Sequence, residues 1–387
     1  MQQKCDSRPE LEAIVRRRIA DAGGIPFVDY MELCLYHPQH GYYMTERPRI
    51  GRQGDFFTSS SVHAAFGRLL ARQLRQMWEI LGEGEFTVAE QGAGEGHLCL
   101  DILDAIAEEA PEFYRHLRYR LVEIGPASRG RQGDLLHRHR QRVDWCSLKE
   151  LAGMQGCFLS NELVDAFPVH LLEKRDGELR EVYVVEHGGQ FGEELRPPST
   201  PRLADHFRWL GIGPVEGNRA EANLEAVRWL HQVASVVARG FVLTIDYGYP
   251  AGELYAPFRR NGTLMCYSRH TATDDPYRLV GCQDITAHID FTALQRAGEE
   301  DGLQTLYFGE QYRFLLALGF VEQLLELQAR EADEQKARAL RMSLKNLILP
   351  DGGMGETFKV LVQGKGVGEP SLHCARSLRD LPLPVGI

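Results

Sequence analysis

The apolar positions change period along the chain, and each change predicts a different kind of element. In residues 61–81, Val62, Phe66, Leu69, Leu70, Leu74, Met77 and Leu81 recur at helical spacing, and Gly82 follows as a stop. Residues 10–22 read as a shorter helix closed by Gly23-Gly24. Between the two lie an aromatic-rich stretch, "PFVDYMELCLYHPQHGYYM", and a glycine-punctuated loop, "RIGRQGDFFTSS". The aromatic segment 27–43 reads as a small core in preference to a lid or a partner surface. Residues 1–82 are therefore expected to form a helical lobe.

From Phe86 onward, short apolar runs alternate with amphipathic stretches. "FTVAEQG", "YRLVEIG", "VDWCS" and "GCFLSNEL" read as strands. "LCLDILDAIAEEA", stopped by Pro111, and "ASRGRQGDLLHRHR", weakened by two glycines, read as helices. Strand and helix in alternation mean right-handed crossovers and a parallel sheet. The rhythm breaks after Pro168, where "HLLEKRDGELREVYVVEHGGQFGEEL" shows strand-like runs joined by Asp176-Gly177 and Gly188-Gly189, a meander signal. "RPPSTP" follows as a linker. A helical stripe from Leu224 to Val237, the buried strand "GFVLTIDYG", a helix-rich stretch and a last strand near 357–363 complete the pattern. The expected organisation is an N-terminal lobe (1–82), an α/β core (83–169 and 220–365), a β-rich insertion (170–219) and a C-terminal tail (366–387).

Composition narrows the class. Apolar residues at 43% and charged residues at 25% are ordinary for a globular protein. A net charge of −10 weighs against a broad nucleic-acid surface. The eight cysteines include no C-x-x-C pair and none at finger spacing with histidine, which predicts free thiols, no metal and a reducing compartment. The first residues carry acids and no apolar core of a leader, and no run approaches the ~20 apolar residues of a membrane span. These features predict a cytoplasmic protein without membrane insertion.

The candidate chemistry starts at "VAEQGAGEGHL", a glycine-rich turn between a strand and a helix. Such turns lie at the carboxyl edge of a parallel sheet, where these folds bind ligands. A dinucleotide fingerprint needs a glycine at 97, but His97 stands there and the third glycine comes early, at Gly96. The order Glu-x-Gly-x-Gly-x-Gly, with Glu90, Gly92, Ala93 and Gly94, suits S-adenosylmethionine, which has no phosphates to neutralise. Glu90 is expected to hold loop or cofactor amino groups. Glu123, at the next strand tip, is placed to accept both ribose hydroxyls, a device that nicotinamide enzymes share. Asp144-Trp145 could flank the adenine or belong to the core.

The fourth strand ends in "SNELVDAFPV" and the fifth in "DYGYP". Asn161 is expected beside the donor, with Glu162, Asp165 and Asp246 as candidate catalytic carboxylates; Asp165 and Asp246 also fit cap or turn acids. Carboxylates suit a cationic acceptor. A guanidinium stays charged, with a pKa of roughly 12.5 or more, and is a poor nucleophile. Acids gripping two of its nitrogens would draw positive charge from the third and aim it at the methyl group.

These stretches, with "YHPQHGYYM", "GDFFTSSSVHAAFG", "LVEIGP", "CYSRHTATDDPY", "QDITAHIDFTAL", "GEQYRFLLALG" and "MGETFKVLV", resemble the MidA-like family of S-adenosylmethionine-dependent methyltransferases, in family order from about Phe27 to Val362. The family includes a mitochondrial complex I assembly factor that dimethylates an arginine. The resemblance implies a class I (Rossmann-like) methyltransferase sheet, S-adenosylmethionine as cofactor and a protein acceptor of the complex I subunit type. It leaves a homodimer open. It also implies that "GDFFTS" closes over the cofactor through Gly54, Thr58 and Ser59, and that His288 and Asp290 of "HIDF" support the acceptor side; a buried histidine–acid pair is the alternative for those two. Two positions depart from the family: Ser60-Ser61 stand where it has Pro-Glu, and Val280-Gly281 where it has Pro-Gly. Competing readings are a methyltransferase for a small molecule or another side chain, and an assembly chaperone that binds the donor without turnover. A nicotinamide oxidoreductase is the remotest.

Overall fold

The computed structural model describes residues 7–45, 63–123, 126–349 and 355–380. These fall into two compact units. One gathers the described residues of 58–163, 230–247 and 295–387, the other those of 1–57, 164–229 and 248–294.

The first of these is built on a seven-stranded sheet. Its strands are β1 (Phe86–Gln91), β2 (Leu117–Val122), β3 (Val143–Cys146), β4 (Met154–Asn161), β5 (Val237–Tyr249), β6 (Gln304–Glu310) and β7 (Phe358–Lys365). Their spatial order is β6-β7-β5-β4-β1-β2-β3. The pairs from β5 to β3 are all parallel, as the strand–helix alternation predicted. Strand β7 runs antiparallel to both its neighbours. The sequence order reverses between β1 and β4, so the carboxyl ends of those two strands frame a crevice. Helix α1 (Ala65–Leu81) buries Phe66, Leu69, Leu70, Leu74 and Met77 of the stripe read from the sequence; Leu81 is half-buried, Val62 lies outside the described residues, and Gly82 ends the helix at φ 96°. Helices α2 (His97–Glu109) and α3 (Pro126–Leu135) follow β1 and β2. Val237, placed by its spacing on the preceding helical stripe, instead opens β5.

At the entry to the sheet, Gly156 of β4 and Gly240 of β5 pair in register. Their φ values are 142° and 144°, and a Cβ on Gly156 would lie 2.0 Å from the carbonyl oxygen of Thr87. Only glycine lets the three backbones approach this closely.

The second unit holds an antiparallel sheet of His170–Arg175, Glu178–His187, Gln190–Arg196, Arg219–Ala222 and Ile25–Pro26. The meander and its two turns lie where the sequence placed them. The helix Arg202–Leu210 after the "RPPSTP" linker was not anticipated. The aromatic segment forms the helix Phe27–Tyr36 and a core: Phe27, Tyr30, Leu35 and Tyr42 pack with Val169, Val182, Val184, Val280 and Ile285. The last two residues of β5 belong to this unit, where they pair with Ile289–Asp290. Among the described residues no helix is long and apolar enough to cross a membrane, and no cluster of His, Cys, Asp and Glu could hold a metal. The seven described cysteines are all buried and free.

Candidate active site

The glycine turn leaves β1 at Gln91 and enters α2 at His97. Gly92, Gly94 and Gly96 all have left-handed φ, at 77°, 56° and 93°. A side chain at 92 would also collide with Leu163, whose Cδ1 would be 2.8 Å from its Cβ. The turn is thus a bare backbone at the carboxyl edge of the sheet, with an acid, Glu95, and no lysine or arginine within it. That chemistry suits a nucleoside without phosphates better than a pyrophosphate. Glu90 lies beneath the turn rather than on it. It is buried and accepts a 2.6 Å bond from the Tyr119 hydroxyl. Burial pushes its carboxyl up to about 7, with the Tyr119 bond opposing. Burial, and after it the Glu90 charge, raises the Cys99 thiol on α2.

Glu123 follows β2. Its main-chain carbonyl accepts two bonds from Arg129 of α3, at 3.0 and 2.6 Å. Its carboxylate accepts from Gln132 Nε2 at 3.2 Å. The same Nε2 donates to the Gly94 carbonyl at 2.9 Å, and Gln132 Oε1 accepts from Trp145 Nε1 at 2.7 Å. Gln132 went unnoticed in the sequence, because a glutamine on a helix with two glycines carries no local signal. Asp144 has a 68% exposed side chain and pairs with Arg120 of the neighbouring strand at 3.5 Å. It is Trp145, the next residue, that reaches Gln132.

At the tips of β4 and β5 the chain makes a turn held by a carboxylate. Asp246 is fully buried; its Oδ2 accepts from Leu163 N at 3.1 Å and its Oδ1 from Tyr247 N at 3.0 Å. Glu162 N donates to the Ile245 carbonyl at 2.9 Å. Glu162 has φ 53°, a left-handed conformation uncommon for a residue with a side chain. Asn161 is 8% exposed, and its Nδ2 donates to Glu162 Oε1 at 3.1 Å. Its Oδ1 is buried without a hydrogen-bond partner among the described residues. A buried acceptor left open is costly in a finished core and expected where a ligand donates.

Three further candidates, Asp165, His288 and Asp290, lie in the other unit. Asp165 is buried in the short helix Val164–Ala166, and its carbonyl accepts from Ala287 N at 3.0 Å. Asp290 Oδ1 accepts from Ala293 N at 3.1 Å and caps the helix Phe291–Glu300. His288 is pushed down to about 4 by burial and then by Arg259, so it is neutral at pH 7. Its ring lies 5.4 Å from that of Tyr249. Gly54, Thr58, Ser59 and the departing Ser60-Ser61 lie outside the described residues.

A cavity of about 550 Å³ in the sheet unit is lined by Arg72, Glu79, Glu109, Glu322 and His373 among others. Along α2 the nearest residue lining it is Ala105, so about two turns of helix, roughly 12 Å, separate this cavity from the glycine turn. It is not the donor site.

A parallel sheet with one antiparallel strand, a glycine turn without lysine or arginine and an acid at the next strand tip together define an S-adenosylmethionine-dependent methyltransferase of class I. The chain belongs to the family described as "Putative S-adenosyl-L-methionine-dependent methyltransferase", whose model matches residues 69–309. A Burkholderia thailandensis crystal structure of a superfamily member bound to S-adenosyl-homocysteine matches with a TM-score of 0.85 and 34% identity over 95% of both chains. The chain is 28% identical to the Drosophila melanogaster protein "Protein arginine methyltransferase NDUFAF7 homolog, mitochondrial", covering 91% of this chain and 84% of that one. The Homo sapiens "Protein arginine methyltransferase NDUFAF7, mitochondrial" is 25% identical, covering 88% and 80%. These relatives overturn the expectation of a cytoplasmic protein: they are named as mitochondrial. Net charge and free thiols fit either compartment and carry no address.

Proposed function

We propose that this methyltransferase acts on an arginine side chain of a folded protein, of the respiratory complex I subunit type. The observation that carries the reading is Glu162, held in a left-handed turn at the tip of β4 by Asn161 and by the Asp246-anchored backbone beside it. A carboxylate fixed in an unfavourable conformation is aimed, and a guanidinium is the acceptor that an aimed carboxylate serves best. The names of the curated relatives agree with this acceptor.

The donor, when bound, supplies an electrophilic methyl group on a sulfonium. Glu123 would hold the ribose hydroxyls, the backbone of Gly92, Ala93 and Gly94 would lie against the nucleoside, and Asn161 Oδ1 would accept from the donor's ammonium. Glu162 grips the guanidinium and draws charge from the attacking nitrogen. Asp246 acts through the backbone and is a positioning residue. As the N–CH₃ bond forms, the S–CH₃ bond breaks, S-adenosylhomocysteine leaves and the nitrogen gives its proton to solvent.

Incubating the pure protein with labelled S-adenosylmethionine and a cell extract, then locating the label by mass spectrometry, tests the acceptor. Label on arginine is expected, and label on another side chain or on a small molecule refutes the reading. Glu162→Gln should lower transfer by about 100-fold while the donor still binds. Transfer unchanged in that variant removes Glu162 from the chemistry.

A further inference from the structure

Gln132 is a neutral side chain with no exposed surface, and its amide is used at both ends. An indole N–H can only donate, so the 2.7 Å contact with Trp145 Nε1 fixes the amide oxygen on that side. The two amide hydrogens are thereby turned toward two acceptors, the Gly94 carbonyl at 2.9 Å and Glu123 Oε2 at 3.2 Å. The reverse orientation would set donor against donor and acceptor against two acceptors. One amide on α3 therefore ties together the turn after β1, the acid after β2 and the tryptophan of β3. The sheet ladder joins the three strands up to Gln91, Val122 and Cys146, and the Gln132 amide extends that tie to the turn and the acid that follow them.

We propose that Gln132 is a positioning residue for the adenosyl half of the methyl donor. It holds one oxygen of the Glu123 carboxylate, and so sets the plane in which that carboxylate meets a vicinal diol. It also holds the carbonyl of the central glycine of the turn. Recognition of the ribose by Glu123 and of the nucleoside by the turn then depends on a single orientation, kept by Trp145. The inference rests on the ribose lying at Glu123. The charged groups at this cluster are Glu123 itself, Arg129, which donates to the Glu123 carbonyl, and the exposed Asp144 with its partner Arg120.

Calorimetric titration of the full chain with S-adenosylhomocysteine tests this. Gln132→Met removes the donors and should weaken binding about tenfold or more. Gln132→Glu keeps an acceptor for Trp145 and a similar shape but sets a second carboxyl against Glu123. Its binding should be weakest at pH 8 and should recover relative to the natural protein as pH falls toward 5.5. There the introduced carboxyl, crowded by Glu123, takes up a proton and donates again. A general packing defect would not recover with pH. Glu123→Ala separates the two layers of the argument. If it binds the ligand as the natural protein does, the ribose is elsewhere and the inference falls with that placement. If it weakens binding while both Gln132 variants bind normally, or if the Gln132→Glu deficit is the same at every pH, the placement stands and Gln132 has no positioning role.

Discussion

Asp246 and Glu162 show how one turn divides two carboxylates between two kinds of work. Asp246 spends both oxygens on main-chain N–H groups, of Leu163 and Tyr247, and shapes the turn. Glu162 stands in that turn with its own backbone in a left-handed conformation. The sequence marked both residues, because an acid at the end of an apolar strand is conspicuous, but it did not show which of them anchors the backbone. Glu90 was equally visible and is placed differently: its bond goes to Tyr119, beneath the glycine turn. A carboxyl raised from 4.5 to about 7 holds its proton more tightly in the folded protein than in the unfolded chain. Its contribution to stability is thus full below about 4.5 and falls away as pH rises through about 7. Denaturant titrations should show Glu90→Gln gaining on the natural protein between pH 5 and 8, by on the order of 2 kcal/mol. A gap that does not change with pH would mean that Glu90 is ionised throughout. Gln132 was illegible, since its meaning lies wholly in partners 9 to 38 residues away.

At the scale of elements, hydrophobic period was a good guide wherever an element is buried on one face or on both. The α1 stripe, the parallel strands and the meander all came from it. The helix Arg202–Leu210 escaped because it follows a proline-rich linker and is only nine residues long, too short to show a sustained period. Close approach of backbones leaves still less trace. Gly156 and Gly240 look like ordinary strand-start glycines, yet they let β1, β4 and β5 enter the sheet together. Gly156→Ala would drive a methyl group into the Thr87 carbonyl, a backbone atom that cannot turn aside. The variant should lose about 3 kcal/mol or more in chemical denaturation. A loss below ~1 kcal/mol would show that the three strands can part at little cost.

For the molecule as a whole, local pattern gave the fold class but not the grouping of segments. The described residues of 1–57, 164–229 and 248–294 form one unit because Phe27 and Tyr30 share a core with Val182 and Ile285. Contacts across such separations have no period to read. The described residues carry the whole glycine turn and the carboxylates of Glu123, Glu162 and Asp246, while the "GDFFTS" segment lies outside them. Glu162 is among the residues that oppose the stability of the rest. Glycine adopts the Glu162 conformation without the steric penalty that a side chain brings, about 1 kcal/mol. Glu162→Gly should therefore melt about 2 °C higher by calorimetry, and it should transfer no methyl groups. Bred for heat tolerance alone, this enzyme would drift toward a sturdier molecule that had forgotten its trade.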